Sequence, residues 1–444
     1  MARREGKALV WQRTNERLGS AIREAYEISP LPNPPLELPD FPAIPPSDSE
    51  TLVRQALGIF TVDRQGFEIR LAEIIEIRLP DYVKRAIDPD EAESRWLEKN
   101  ADEISERVLV LIARDWMTSA LDEFSPDTDR WYLGASLVTG IALFGSEIAR
   151  NECYPLIESI AYAVTPSSLP YSSVSGRHQL AWSPSSTPAP SLPPHPAGVM
   201  AVTAILDTLS LRDSSAHNVL PIWIENLSVS PSLSQVLDIP NRILQELNNT
   251  NSESVPIYVS AALQLLPNIS AEAKDILVAC SEHNNPQARR KVAESLSRIA
   301  SEYPAFAISL ADRLLEDTDS SVIALTATYI GGLSRSSGEN FIPRASMILE
   351  SENQKAIQRI VESGLRDYLS QNPDDPHSLL VKAWINSSEV GRSRVANLIV
   401  EQYRVNPDYF MKTCSNIAIV DSKANSELIQ WIETRNPELS KFLS

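Results

Sequence analysis

From residue 252 onward one helical pattern returns about every 34 residues, and no other feature of the chain limits its fold so strongly. Leu263, Leu296, Ile330, Leu365 and Ile399 fall into register at intervals of 33, 34, 35 and 34. Four residues before each stands Val259, Val292, Thr326, Val361 or Val395, so a β-branched residue at i and an aliphatic one at i+4 share a helical face. Pro304, Pro373 and Pro407 follow their anchors by eight residues, with Gly338 in the equivalent place. These breakers separate one helix from a second that returns antiparallel, such as AFAISLADRLLED or HSLLVKAWI. A helix pair with one apolar stripe on each helix cannot close a core alone, whereas pairs stacked side by side bury the stripes continuously. The expected fold is all-α: an α-solenoid of helix pairs with proline-rich linkers.

Several repeat families have periods near 34, so residue identities must decide between them. DTDSSVIALTATYIGGL (317–333) and NNPQARRKVAESLSRIA (284–300) each carry an Asp or Asn turn, a Val or Arg, an Ala in mid-helix, and a Leu or Ile near the end. They resemble the second helix of HEAT repeats, and NISAEAKDILVACSEHN (268–284) and 305–316 resemble the corresponding first helices. The repeated Trp, Gly and Tyr of the tetratricopeptide pattern are missing. The HEAT-like resemblance spans about residues 252–415 and weakens in the last two units, which lack the motif Ala and Asp. After the turn DTDR (127–130), WYLGASLVTGIALFG resembles one more such helix, which leaves open whether residues 49–164 continue the array.

The rest of the chain divides by composition. Residues 1–28 read as one amphipathic helix, with Leu9, Val10, Leu18, Ile22 and Tyr26 among Arg3, Arg4, Lys7, Arg13, Arg17 and Arg23. Glu5, Glu16, Glu24 and Glu27 dilute the basic charge, so packing against a partner helix or the body of the protein is the expected use. Residues 29–48 hold eight prolines and form a linker of extended polyproline geometry. Residues 49–164 form an acidic helical region, in which Val108, Leu111, Ile112 and Trp116 share one face. Within it, 88–107 has eight acids against three bases and reads as a solvated face, or as a surface for a basic partner. Residues 165–198, with eight prolines and nine serines, cannot bury enough apolar surface to offset their ordering entropy and read as a disordered insertion. Residues 199–444 hold the HEAT-like repeats.

Chemistry is sparse. His178, His195, His217, His283 and His377 show no zinc spacing, and no GxSxG, Walker loop or GxGxxG occurs. Cys153, Cys280 and Cys414 lie more than a hundred residues apart and read as buried free thiols. No catalytic residue, cofactor or metal site is therefore expected. No apolar run is long enough for a membrane span, and the first 28 residues lack the apolar segment of a signal peptide, so the expected location is cytoplasmic.

The net charge of −18 comes from 58 acidic and 40 basic side chains and is uneven: residues 1–280 carry 37 acids and 22 bases, residues 281–444 carry 21 and 18. A polyanion site, if one exists, belongs in the second half. Arg289, Arg290 and Lys291 occupy helix positions that Arg359, then Arg392 and Arg394, occupy two and three units later, and stacking aligns them as contacts for an anion or a partner. Ile323, Ala324 and Leu325 interrupt that stripe. The expectation is a non-enzymatic scaffold or adaptor that binds a protein through its curved helical surface. A nucleic-acid-associated scaffold using those basic residues is the alternative.

Overall fold

The computed structural model describes residues 6, 8–10, 12–14, 16–17, 99–119, 134–135, 137–142, 145–162, 194, 196–210, 219–248 and 254–440. The linker 29–48, residues 49–98, the Ser/Pro-rich stretch up to 193, and His178, His195 and His217 lie outside these. Among the described residues every regular segment is helical and no strand occurs. No described helix is long and apolar enough to cross a membrane. The chain falls into two compact units, Met1–Lys274 and Asp275–Ser444, so a boundary lies inside the array expected over 199–444.

The first unit holds α1 (Ala101–Ser119), α2 (Glu147–Tyr162), α3 (Pro196–Ser210), α4 (Leu220–Leu227), α5 (Pro231–Val236), α6 (Ile239–Leu247) and α7 (Val255–Leu265). Helix α1 packs on α2, α2 on α3, and α4 reaches α2, α3, α6 and α7. The face read from the sequence on α1 is inside: Val108, Leu111, Ile112 and Trp116 are all buried. Trp223 of α4 is fully buried against Tyr154 of α2, with ring centroids 6.3 Å apart. Proline begins helices here: α3 to α7 each carry one at the first or second position, where its missing N–H costs no hydrogen bond.

Helix α8 (Ser270–Ser281) crosses the boundary in sequence. The second unit continues with α9 (Pro286–Ala300), α10 (Pro304–Leu315), α11 (Ser320–Gly332), α12 (Gly338–Leu349) and α13 (Gln354–Ile360). A π-helical turn, Val361–Leu365, joins α13 directly to α14 (Arg366–Gln371). Then come α15 (Leu379–Asn386), α16 (Glu389–Val405), α17 (Pro407–Val420), α18 (Ser422–Arg435) and α19 (Pro437–Ser440). Each helix packs mainly on those one and two places along the chain: α9 on α10 and α11, α11 on α12 and α13, α15 on α16 and α17, α16 on α17 and α18. Pro304 and Pro407 open α10 and α17, as Gly338 opens α12, while Pro373 sits in the loop before α15.

Side-chain caps fix where the second helix of each pair starts. Asn285, Asp319, Asn353 and Asp421 each accept a hydrogen bond from a backbone N–H in the first turn of α9, α11, α13 and α18, and Ser388 holds the same place before α16. The fully buried aliphatic follows its cap by 11 residues in Asn285/Leu296, Asp319/Ile330, Ser388/Ile399 and Asp421/Ile432. In Asn353/Leu365 the distance is 12. The π-helical turn takes up that extra residue, since its wider turn admits one more residue without rotating the helix that follows. It also brings Gly364 against α11: a Cβ there would lie 2.8 Å from Gly331 Cα and 3.0 Å from Gly331 O, so two backbones touch where neither residue has a side chain.

Candidate partner-binding surface

The second unit is laced by polar bonds between residues about 28–36 positions apart along the chain. On the first helices Arg313 pairs with Glu282, Arg344 forks onto Asp312 at 2.6 and 2.7 Å, and Lys382 reaches Glu350 at 2.5 Å and the Ser346 hydroxyl. Arg335 forks onto Asp367 at 2.7 and 3.1 Å, and Arg366 donates to Glu401 at 2.9 Å. At the turns, Asn353 Nδ2 donates to Ser320 O at 3.1 Å. Gln354 donates to Asn386 O at 2.8 Å and accepts from Ser388 N at 2.6 Å. Each bond joins a helix or turn to the equivalent region of the next pair.

Four of the six cations singled out in the sequence, Arg289, Arg290, Arg392 and Arg394, belong to this lacing, while Lys291 and Arg359 pair three residues along the chain. Arg289 Nε and Nη2 donate to Asp317 Oδ2 and Oδ1 at 2.6 and 3.0 Å, and its Nη1 donates to His283 O and Asn284 O at 2.7 and 3.0 Å. That hydrogen bond to Asp317 raises the guanidinium pKa above its ordinary value. Arg290 Nη2 donates to Asp319 Oδ2 at 2.6 Å. Asp319 is held below the usual carboxylate range, first by the Ser321 N–H and then by Arg290. Lys291 lies 4.0 Å from Glu294, and Arg359 lies 3.7 Å from Glu362. Arg394 meets the same Glu362, so two guanidinium groups share one carboxylate on the exposed face of α13 and α16. Arg392 pairs with Glu427, donates to Trp384 O at 3.2 Å and Ile385 O at 3.3 Å, and lies over the Trp384 ring.

The structure thus brings Arg359 and Arg394 together and sets Arg289 and Arg290 on adjacent acids of one turn, but forms no uncompensated basic stripe from the six. Sequence reasoning missed the acids. Their signal was legible: opposite charges recur at separations of 31 or 32 in Glu282/Arg313, Asp312/Arg344, Arg335/Asp367, Glu350/Lys382 and Glu362/Arg394.

Large exposed apolar side chains stand near both ends of α16, at Val390 and Val405, and at the end of α17, at Ile419 and Val420, the last pair 82% and 65% exposed. Ile419 and Val420 stand just before the cap Asp421, where the corresponding residues before Asn285, Asp319, Asn353 and Ser388 are His283 and Asn284, Asp317 and Thr318, Ser351 and Glu352, and Asn386 and Ser387. Four polar turns are followed by one apolar turn. The loop before α15 and the first turn of α17 hold a buried polar knot. Asp375, 2% exposed, accepts from Leu379 N and Leu380 N at 3.0 Å each and from the Tyr409 hydroxyl at 2.7 Å. Burial, then the Asp375 charge, pushes the Tyr409 hydroxyl pKa up.

No group of three or more His, Cys, Asp or Glu among the described residues is placed to hold a metal ion. The three cysteines are buried and free, and burial raises Cys280 and Cys414 to about 12 and Cys153 further still.

A second surface joins two features of the sequence. The described residues between 6 and 17 are helical and lie on α1, with Val10 and Thr14 fully buried. Ser105 Oγ donates to Val10 O at 3.1 Å. Arg13 lies 3.6 Å and Arg17 3.5 Å from Asp102, and Arg17 also pairs with Glu106. The basic helix therefore sits on the C-terminal part of the acidic run 88–107. Glu106 also accepts from Ser146 N, at 3.1 Å, just before α2.

No protein-family model matches this chain, and no curated protein or solved structure matches it either.

Proposed function

We propose that this protein is a HEAT-like α-solenoid scaffold or adaptor that binds a protein partner and has no catalytic role of its own. The observation that carries the reading is the lacing of the second unit. Side-chain bonds join positions about one repeat apart from Glu282 to Glu427, which is how stacked repeats hold register. A partner of apolar character fits the exposed Val390, Ile419 and Val420, because large aliphatic side chains left in water favour contact with an apolar surface. The alternative, a nucleic-acid-associated scaffold, has less support, since four of the six cations, Arg289, Arg290, Arg392 and Arg394, already hold a carboxylate that a phosphate would have to displace.

The test uses the full chain as bait at the host's working salt, alongside a Val390→Asp/Ile419→Asp variant. The scaffold reading expects a protein recovered by the first and lost with the second. Binding to DNA or RNA whose affinity falls steeply with salt, with no protein recovered, would favour the alternative, and turnover of a small molecule would overturn both.

A further inference from the structure

The N-terminal helix occupies a place on α1 that has the features of a receptor site. Its floor is the first half of α1, where Asp102, Ser105 and Glu106 are spaced three and four residues apart along one face. The occupant presents the complementary set: Val10 and Thr14 buried toward α1, with Arg13 and Arg17 one turn apart and aimed at Asp102 and Glu106. The anchoring is thin. Two described side chains of the helix are fully buried at moderate size, and Arg13 and Asp102 are 50% and 64% exposed, so much of the attraction is Coulombic and open to solvent. More than 80 residues of chain separate the helix from α1, so the contact is non-local and closing it costs chain entropy.

We propose that this face of α1 is a docking site for a basic amphipathic helix of a partner protein, and that residues 6–17 fill it in cis as an exchangeable stand-in. The occupant is fixed by charge complementarity and by the ligand already seated: an incoming helix needs two arginines one turn apart beside small apolar or β-branched residues. A binding site filled by the chain's own segment has its apparent affinity for a competitor lowered by the fraction of time it stands open. The N-terminal helix therefore sets the threshold for the partner. Glu106 conveys the exchange to the next element, because the carboxylate that holds Arg17 also accepts from the backbone at the start of α2.

The probe is a fluorescent peptide of residues 1–28 added to three full-length proteins: wild type, Arg13→Glu/Arg17→Glu, and the same pair with Asp102→Arg. The double variant is expected to lose amide-exchange protection over residues 8–17 and to bind the peptide at least tenfold more tightly than wild type, with affinity falling as salt rises. Adding Asp102→Arg is expected to restore that protection and to shut the peptide out. The proposal is overturned if the double variant keeps its protection, if it binds the peptide no better than wild type, or if Asp102→Arg leaves the binding unchanged. All three substituted positions are solvent-accessible, and protection of α7, far along the chain from the exchange, serves as the control for an intact first unit.

Discussion

Arg289 on α9 holds Asp317, in the turn before α11, through two parallel hydrogen bonds that span 28 residues of chain. The same arginine closes its own turn through His283 O and Asn284 O. One side chain thus ties the turn before α9 to the turn before α11. Both partners are largely withdrawn from water, at 14% and 5% side-chain exposure, which distinguishes this pair from the open ones around it. Arg289→Ala is expected to destabilise the second unit by about 2–3 kcal/mol, because Asp317 is left charged and short of donors. Arg289→Lys recovers little, since an ammonium cannot fork. Urea unfolding of the single variants and of Arg289→Ala/Asp317→Ala checks this, with the double variant expected to lose less than the sum of the two.

The glycines at the π-helical turn give a paired prediction. Gly364→Ala places a methyl 2.8 Å from both Gly331 Cα and Phe341 Cε2, where backbone and a buried ring must move. It is expected to cost about 1–3 kcal/mol. Gly332→Ala, one residue beyond the contact on the same α11, meets nothing within 4 Å. It is expected to stabilise by about 0.5–1 kcal/mol through helix propensity. Thermal melts of the two variants must move in opposite directions.

Asp319 makes part of the second unit's stability depend on acid. Its native pKa lies below the unfolded value, so the folded state binds the proton less readily. The stability it contributes is therefore complete above about pH 4, the unfolded aspartate range, and disappears as pH falls through the lower native value. Asp319→Asn keeps a competent helix cap but cannot titrate. Against wild type, the variant is expected to be less stable at pH 7 and to show a shallower loss between about pH 4 and pH 2, measured by urea midpoints across that range.

The loop before α15 carries strain that a single glycine can relieve. Ser378 has φ +54° and Asp375 φ +33°, both in the left-handed region that L side chains rarely adopt. Ser378→Gly is expected to stabilise by about 1 kcal/mol. Asp375→Asn is expected to destabilise by about 1–3 kcal/mol, because one oxygen that now accepts becomes a donor facing donors. Hydrogen exchange at the Leu379 and Leu380 amides reads both effects directly.

Much of the second unit was legible from the chain alone, for physical reasons that differ by element. The anchors Leu296, Ile330, Leu365 and Ile399 are all fully buried, because an i, i+4 apolar pattern can face only one way on a helix. Asp319 announced α11 as a short polar residue before an apolar run, and it caps the helix as such residues do. The interval of 35 between Ile330 and Leu365 was visible, but its meaning was not: a one-residue excess fits equally into a loop or a helix, and only the cap at Asn353 assigns it to the π-helical turn. The partner of Arg289, 28 residues along the chain and outside the recurrent 31–32 spacing, was hidden for another reason. A long side chain reaches a neighbouring turn by a rotamer that spacing along one helix does not specify. The basic helix at the N-terminus and the acids of α1 were both read, yet nothing in either segment says that they meet.

The lacing that joins each pair to its successor sets how the second unit gives way under load. Tension applied at Arg435 falls first on the outermost rung, where Arg392 and Glu427 and the buried Trp384 Nε1 bond to Ala424 O hold α18. Once those part, the next rung takes the strain with its own links intact. On the stacked-repeat reading proposed above, the unit yields in steps of one helix pair, lengthening by roughly 34 residues of extended chain, about 11–12 nm, at each, so that it stays gripped by its remaining rungs while one end has already let go.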